Sequence, residues 1–255
     1  MKQTQGSTLV QTLVKFGSLL IGFSSSCPQA TDQKFVRASF SISTRWRHLD
    51  LVLRRINDNV EQLRKARRGD VDPRETELLL AAPSLDTETF YVVVRSLLED
   101  VAALTPCFYP KAKMKPKRIS FNEQVKWYRS HPDFDPPMTQ YVESNLGWFD
   151  GLKDVRDHLL HRQCDVLPIN SGTESMQGDI PIQFAIVGES GLKIGQPEME
   201  SEVRSILRSL IEFLSFYSSH FKNRLPKDWP GYKDIGGHSP KGGVQGLEFL
   251  KRWLE

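Results

Sequence analysis

Apolar residues recur at steps of three and four along much of the chain, a period that is typical of amphipathic helices. The spacing predicts long helices over about 42–68, 87–105, 138–163 and 198–223, and a shorter helix over about 120–130. In the first of these the repeating positions are Ile42, Trp46, Leu49, Leu53, Ile56, Val60 and Leu63. Long amphipathic helices joined by short connections indicate an all-α protein, a bundle of four to five helices.

A strand-like pattern interrupts the helices once. Ile180, Ile182, Phe184 and Ile186 alternate with other residues, which is the period of a half-buried strand. After a turn-like Glu-Ser-Gly, residues 192–194 are the candidate for a second short strand. We therefore expect a small β-hairpin inserted between the last two long helices.

The two ends of the chain lack a clear helical period. Residues 1–40, Ser-rich from 24 onwards, are expected to form a poorly ordered leader and linker. Residues 225–255 are rich in Pro, Gly and Lys and are expected to be a tail with a short C-terminal helix. A helical domain over 41–224 then remains, with Asp86 as the expected N-cap of its second helix.

The most apolar stretch, residues 9–23, is too short and too interrupted to span a bilayer, which needs about 20 apolar residues. Lys2 and the small residues before Cys27 leave a cleaved secretory signal, or lipid attachment at Cys27, as an alternative. Because Lys15 divides the apolar stretch, we expect a cytoplasmic protein without a membrane anchor.

The charge of the chain is distributed unevenly, although its net value is only +3. Residues 1–118 carry 19 Lys and Arg against 12 Asp and Glu, whereas residues 119–255 carry 15 against 19. Five basic residues fall in one predicted loop: Lys111, Lys113, Lys115, Lys117 and Arg118. This basic loop and the arginine face of the first helix raise the question of a polyanionic partner, although solubility is the commoner role of such residues.

One predicted helix breaks its own amphipathic pattern. The residues of its apolar face are Tyr141, Trp148, Phe149, Leu152, Val155 and Leu159. On a helical wheel Arg156 falls near the middle of this face, next to Asn145, and Asp157 and His161 share the adjoining flank. A guanidinium on an apolar face needs an acceptor or a water-filled cleft.

The residues leave two interpretations of Arg156 open. In one, Arg156 forms a buried salt bridge to another helix, such as the one that carries Glu99 and Asp100, and His161 is a surface residue near a helix C-terminus. In the other, Arg156 and His161 belong to a binding or catalytic site.

Residues 156–161, with the sequence RDHLLH, match the Arg-x4-His motif of the HEPN superfamily (higher eukaryotes and prokaryotes nucleotide-binding domains). In that family a polar residue follows the Arg, as Asp157 does here, and the motif lies late in a long helix of a four- or five-helix bundle. At the level of helix order the sequence resembles a HEPN domain over roughly residues 42–223.

This resemblance implies a metal-independent endoribonuclease, in which the basic loop and the arginine face of the first helix would bind the RNA backbone. His161 would act as the acid or base and Arg156 would bind the scissile phosphate, while Asp157 would orient His161 or hold Arg156. A homodimer would pool two such pairs, and the products would carry a 2′,3′-cyclic phosphate and a 5′-OH. No cofactor is implied, and a zinc site of His158, His161 and Cys164 is unfavourable because three ligands spaced three apart would strain a helix.

Two functions therefore compete. The first is an RNase, for example a toxin or phage-defence effector with an antitoxin or regulatory protein as partner. The second is a non-catalytic HEPN-like module that binds a protein, a nucleotide or RNA. A chance occurrence of the motif in a plain all-α protein is a third, weaker hypothesis.

Overall fold

The computed structural model describes residues 16–17, 20, 33–67, 73–109, 120–160, 164–169, 183–188 and 199–222. α-Helices account for most of these residues, so the fold is all-α, as the apolar period predicts. None of the described helices is both long enough and apolar enough to cross a membrane.

The first helix, α1, spans Gln33–Arg67 and begins well before the predicted start at residue 42. Phe35 is 1% exposed and lies two helical turns before the buried Ile42, so the apolar face extends into the Ser-rich stretch that was interpreted as linker. Ser41 Oγ donates a hydrogen bond to Asp100 at 2.6 Å. Burial of apolar positions and a partner for the serine thus outweigh the weak helix propensity of this segment.

The second helix, α2, spans Pro73–Leu104 and contains Pro83. The prediction of Asp86 as its N-cap was wrong, because Asp86 lies inside the helix and is fully buried. Its Oδ1 lies 2.8 Å from Arg55 Nη2, and its Oδ2 accepts a hydrogen bond from Asn59 Nδ2 at 2.6 Å. The carboxylate therefore joins α2 to α1 and caps neither.

A short 3₁₀ helix, Thr105–Phe108, follows α2. The third α-helix, α3, spans Phe121–Ser130 and is capped by the hydroxyl oxygen of Ser120. After a turn, α4 spans Pro136–Ser144. The short helix that was predicted over about 120–130 is confirmed.

The long helix predicted over 138–163 is divided in two. The fifth α-helix, α5, spans Leu146–Leu160, and Asn145 separates it from α4. Asn145 Nδ2 donates to the carbonyl of Tyr141 at 2.8 Å, which satisfies a backbone acceptor at the end of α4. Asn145 and Arg156 consequently do not share one helix face.

Two strands follow α5: β1, Cys164–Ile169, and β2, Gln183–Gly188. They pair antiparallel, with Cys164 opposite Gly188. The pairing differs from the expected one, because β2 pairs with the chain that precedes it. Residues 192–194, which were expected to supply the partner strand, lie outside the described residues.

The last described helix, α6, spans Met199–Lys222, close to its predicted bounds. The chain divides into two compact units, and α1, α2, α5 and α6 contribute residues to both. Unit 1 comprises Met1–Arg47, Ser96–Trp148 and Leu207–Glu255. Unit 2 comprises His48–Arg95 and Phe149–Ile206.

Unit 1 is built on packed aromatic rings. Phe108 stacks on Phe221 with ring centroids 4.7 Å apart, and Tyr217 meets Phe108 edge-on at 6.0 Å. Tyr141 stacks on Phe216 at 3.9 Å. Stacked and edge-on rings bury large apolar areas in defined orientations, so these contacts set the position of α6 within the unit.

Unit 2 has a largely aliphatic core with polar contacts at the start of α6. The fully buried residues of this core include Leu49, Leu53, Ile56, Phe90 and Val94. Arg64 Nη2 lies 2.7 Å from Glu200 Oε2, and the Tyr91 hydroxyl donates to Glu202 Oε1 at 3.1 Å. The first turn of α6 is thereby joined to α1 and α2.

Asp86 gives the stability of the protein a defined dependence on pH. Burial raises the pKa of Asp86 above its usual value of 3.8, and the nearby Arg55 and the hydrogen bond from Asn59 offset this only in part. When the pKa of a carboxyl is higher in the folded protein than in the unfolded chain, its protonation stabilises the fold. This stabilisation is fully present below the pKa of the unfolded chain and is lost as the pH rises through the pKa of the folded protein. We therefore expect the free energy of unfolding of the wild type, relative to Asp86→Asn, to increase as the pH falls towards 4.

Urea unfolding at a series of pH values measures this difference. Asp86→Ala removes the same titrating group and should give the same trend, whatever its absolute stability. A wild-type advantage that shrinks on acidification in both comparisons would contradict the assignment.

Candidate functional site

The Arg-x4-His motif begins in the second half of α5. Phe149, Leu152 and Val155 of this helix are buried, as the helical wheel predicts. Arg156 lies on the same wheel between Phe149 and Leu152, but its side chain is 35% exposed, because a long side chain can carry its charged end to solvent from an apolar face.

Arg156 forms an ion pair with the residue that follows it. Its Nη1 donates to Asp157 Oδ1 at 2.7 Å, and the two side chains are 35% and 34% exposed. Asp157 thus holds Arg156, which is one of the two roles expected for it. Ion pairs with this much access to solvent contribute only about 0–1 kcal/mol to stability.

A second cation lies beside the same carboxylate. Lys153 Nζ is 3.9 Å from Asp157 Oδ2 and 3.5 Å from Asp154 Oδ1. The Lys153 side chain is 38% exposed. Asp157 therefore has a cation next to each of its two oxygens, on an accessible surface of α5.

The buried salt bridge considered for Arg156 is not what the structure contains. Glu99 Oε2 accepts a hydrogen bond from the amide of Phe121 at 2.8 Å. Asp100 accepts a hydrogen bond from Ser41 and lies 3.5 Å from Arg45 Nε. Both acidic residues are thus engaged elsewhere, and Arg156 pairs with a neighbour on its own helix.

Two of the predicted sets of site residues cannot be placed. His161 follows the end of α5 and lies outside the described residues. The same is true of the basic loop, Lys111, Lys113, Lys115, Lys117 and Arg118. The site is therefore argued from Arg156, Asp157 and Lys153.

Three arginines on the arginine face of α1 form ion pairs with carboxylates of the chain. The ion pairs are Arg54 with Asp50, Arg55 with Asp86, and Arg64 with both Glu61 and Glu200, at 2.7–2.9 Å. These pairs neutralise the charge of three of the basic residues that the sequence suggested for RNA. The Arg face of α1 is thus less available to a polyanion than expected.

A buried polar cluster in unit 1 was missed by the sequence analysis. Asp135 is 2% exposed, and its Oδ2 accepts a hydrogen bond from the Tyr109 hydroxyl at 2.6 Å. His220 Nε2 lies 2.8 Å from the same oxygen, and the Tyr109 and Tyr128 hydroxyls share a hydrogen bond of 2.8 Å. The Asp135 carboxylate thereby connects Tyr109, at the end of the 3₁₀ helix, to His220 of α6. Tyr109 in turn contacts Tyr128 of α3.

Asp135 is also the N-cap of α4, because its Oδ1 accepts a hydrogen bond from the amide of Met138. The sequence does carry a signal for this cap: an Asp followed by two prolines, since Pro is favoured at the first position of a helix. The partners Tyr109 and His220 are far away in sequence and have no such local signal.

The cluster is suited to holding the fold and not to proton transfer. Burial, the adjacent Tyr128 and the hydrogen bond to Asp135 raise the pKa of Tyr109 far above its usual value of 10.0. Tyr109 consequently remains a hydrogen-bond donor throughout the physiological pH range. The side chains of Asp135 and His220 are only 1% and 13% exposed, which leaves little room for a substrate.

Within the described part of the chain, no group of three or more His, Cys, Asp and Glu residues could hold a metal ion. Cys164 lies at the start of β1, so the helical spacing considered for His158, His161 and Cys164 does not exist.

No protein-family model, no curated protein and no solved structure matches the chain.

Removing the carboxylate of Asp135 should destabilise the protein strongly. In Asp135→Ala, His220 and the Tyr109 hydroxyl lose a buried partner and α4 loses its cap, which should cost about 3–5 kcal/mol. Urea unfolding measures the change. Asp133→Ala, an exposed carboxylate in the same turn, is the matched control and should stay within about 0.5 kcal/mol of the wild type. Equal midpoints for the two variants would show that the cluster does not stabilise the fold.

Proposed function

We propose that the protein is a HEPN-like, metal-independent endoribonuclease that cleaves RNA by activating a ribose 2′-OH. The observation that carries this proposal is the placement of Arg156. In an all-α protein, the Arg of an Arg-x4-His motif lies in the second half of a helix, accessible to solvent and held by one adjacent carboxylate. A guanidinium in this setting is available to a phosphate, whereas one in a closed core would not be.

The roles of the residues follow from their chemistry. The planar fork of Arg156 suits the non-bridging oxygens of a phosphodiester and would stabilise the charge that develops on phosphorus. His161 would take the proton of the 2′-OH or protonate the leaving 5′-oxygen, because an imidazole titrates near neutral pH. One Arg and one His make a sparse site, so the proposal includes a homodimer in which two copies of the motif act together.

The proposal extends to the biological setting. The basic loop that contains Lys113 and Lys117 would track the RNA backbone outside the cleavage site. Such an enzyme would act in the cytoplasm, as a toxin or phage-defence effector, with an antitoxin or regulatory protein restraining it.

A second candidate is a non-catalytic HEPN-like module that docks a protein, a nucleotide or RNA. The ion pairs favour this alternative: Arg156 is already neutralised by Asp157, and Arg54, Arg55 and Arg64 of α1 are paired as well. The two candidates differ in whether RNA is cut, and in whether Arg156 is needed for that.

Replacing Arg156 or His161 should abolish cleavage without unfolding the protein. We expect Arg156→Ala and His161→Ala to lower the rate of RNA cleavage in EDTA by about 100-fold or more. Because the Arg156–Asp157 pair is exposed, the melting temperature of Arg156→Ala should change by only a few degrees. Cleavage of a labelled RNA, followed on gels beside thermal melts, measures both effects.

Lys126→Ala is the matched control, since Lys126 also pairs with a carboxylate on its own helix and is 72% exposed. It should cut RNA at the wild-type rate. Cleavage that survives in both motif variants, or that is lost equally in Lys126→Ala, would contradict the assignment. A wild-type protein that binds RNA without cutting it would favour the non-catalytic module.

A further inference from the structure

Three charged residues of α5 occupy one side of the helix at positions i, i+3 and i+4. They are Lys153, Arg156 and Asp157, and residues at this spacing are neighbours on a helix surface. Asp157 places Oδ1 2.7 Å from Arg156 Nη1 and Oδ2 3.9 Å from Lys153 Nζ. The Asp157 carboxylate thus lies between two cations, each nearest to a different oxygen, and Lys153 Nζ also lies 3.5 Å from Asp154 Oδ1.

We propose that Lys153 and Arg156 form one phosphate-binding clamp, and that Asp157 is an internal anion that an RNA phosphodiester displaces. This inference rests on the proposed function and deepens it in two respects. It adds Lys153 to the substrate-binding residues, and it gives Asp157 a restraining role.

The bridging geometry is the first reason. A phosphodiester, like a carboxylate, offers two oxygens that share one negative charge. The position of Asp157 therefore marks where the oxygens of a phosphate would meet the same two cations. Arg binds phosphate through parallel N–H···O contacts, and Lys adds a point charge, so the two residues are complementary and not redundant.

The low cost of opening the pair is the second reason. All three side chains are between 34% and 38% exposed, so water can solvate the Asp157 carboxylate once it is released. Exposed pairs of this kind contribute little to stability. An anion that offers more contacts can therefore replace Asp157 without disturbing the helix.

The third reason is that the helix backbone beneath the clamp is anchored. Lys153 follows Leu152 and Arg156 follows Val155, and both apolar residues are buried. Two buried positions, three residues apart, fix the rotation of α5 about its axis. The spacing of the two cations is then set by the helix and does not depend on a loop.

Binding of a single-stranded DNA oligonucleotide tests the clamp separately from cleavage, since DNA lacks the 2′-OH that the proposed reaction requires. Fluorescence anisotropy of a labelled oligonucleotide in EDTA, at several salt concentrations, gives the affinity and its salt dependence. Lys153→Gln should weaken binding about two- to fivefold and reduce the salt slope by about 0.7, the loss of one phosphate contact on a single strand. Lys153→Arg, which keeps the charge, should bind like the wild type.

Asp157→Asn should bind the oligonucleotide about two- to fivefold more tightly, because the competing anion is removed. Asp154→Asn is the matched control: it removes one negative charge from the same helix, next to Lys153, from a side chain that is 60% exposed. A larger gain for Asp157→Asn than for Asp154→Asn supports displacement of a bridging anion. Equal increases in affinity for the two variants would show that only net charge matters and would overturn the proposal. Binding of the oligonucleotide by Lys153→Gln with wild-type affinity would overturn it as well.

The two proposals can fail independently. If the clamp variants behave as expected but RNA is never cut, the nuclease assignment fails and the clamp stands. If RNA cleavage requires Arg156 and His161 while Lys153→Gln and Asp157→Asn leave oligonucleotide binding unchanged, the clamp is overturned and the nuclease stands. Thermal melts of all variants confirm that each is compared in its folded state.

Discussion

A carboxylate that is buried in a protein must keep its hydrogen-bond and ion-pair partners, because leaving it unpaired costs several kcal/mol. Among the residues that the structure describes, this requirement applies to Asp135 in unit 1 and to Asp86 in unit 2. Each joins segments that are distant in sequence: Asp135 connects the start of α4 to Tyr109 and α6, and Asp86 connects α2 to Arg55 and Asn59 of α1. The apolar cores supply most of the driving force, and these two carboxylates restrict how the helices can be arranged around them.

The pair formed by Arg156 and Asp157 differs from both of these. It joins adjacent residues of one helix, its side chains are about one third exposed, and it connects no separate elements. Its contribution to the fold is therefore small, whereas its cation is accessible. The contrast with Asp86 and Asp135 is what makes this pair a candidate for binding a substrate.

The sequence predicted the elements whose apolar period is continuous, such as α6, and the buried positions Leu152 and Val155. It misplaced features that depend on a choice between local and tertiary interactions. Asp86 has the local character of an N-cap, but Arg55 and Asn59 hold it inside α2. In the candidate site, the break at Asn145 has only a weak local signal, so the sequence predicted one long helix where the structure has two. A wheel gives the direction in which Arg156 leaves α5, but not how far its long side chain extends towards solvent. The motif itself could be found because its spacing is local. Which oxygen of Asp157 faces Lys153 and which faces Arg156 depends on side-chain conformation and is visible only in the structure.

The proposed reaction has a chemical outcome that no stability or binding experiment reports. Attack by the ribose 2′-OH must leave a 2′,3′-cyclic phosphate on one product and a 5′-hydroxyl on the other, because no water enters the first step. Mass spectrometry of the fragments of a short RNA, cut by the purified protein in EDTA, identifies these ends directly. We expect cyclic phosphate and 5′-hydroxyl ends that disappear in His161→Ala. Fragments with 5′-phosphate and 3′-hydroxyl ends would contradict a mechanism based on Arg156 and His161.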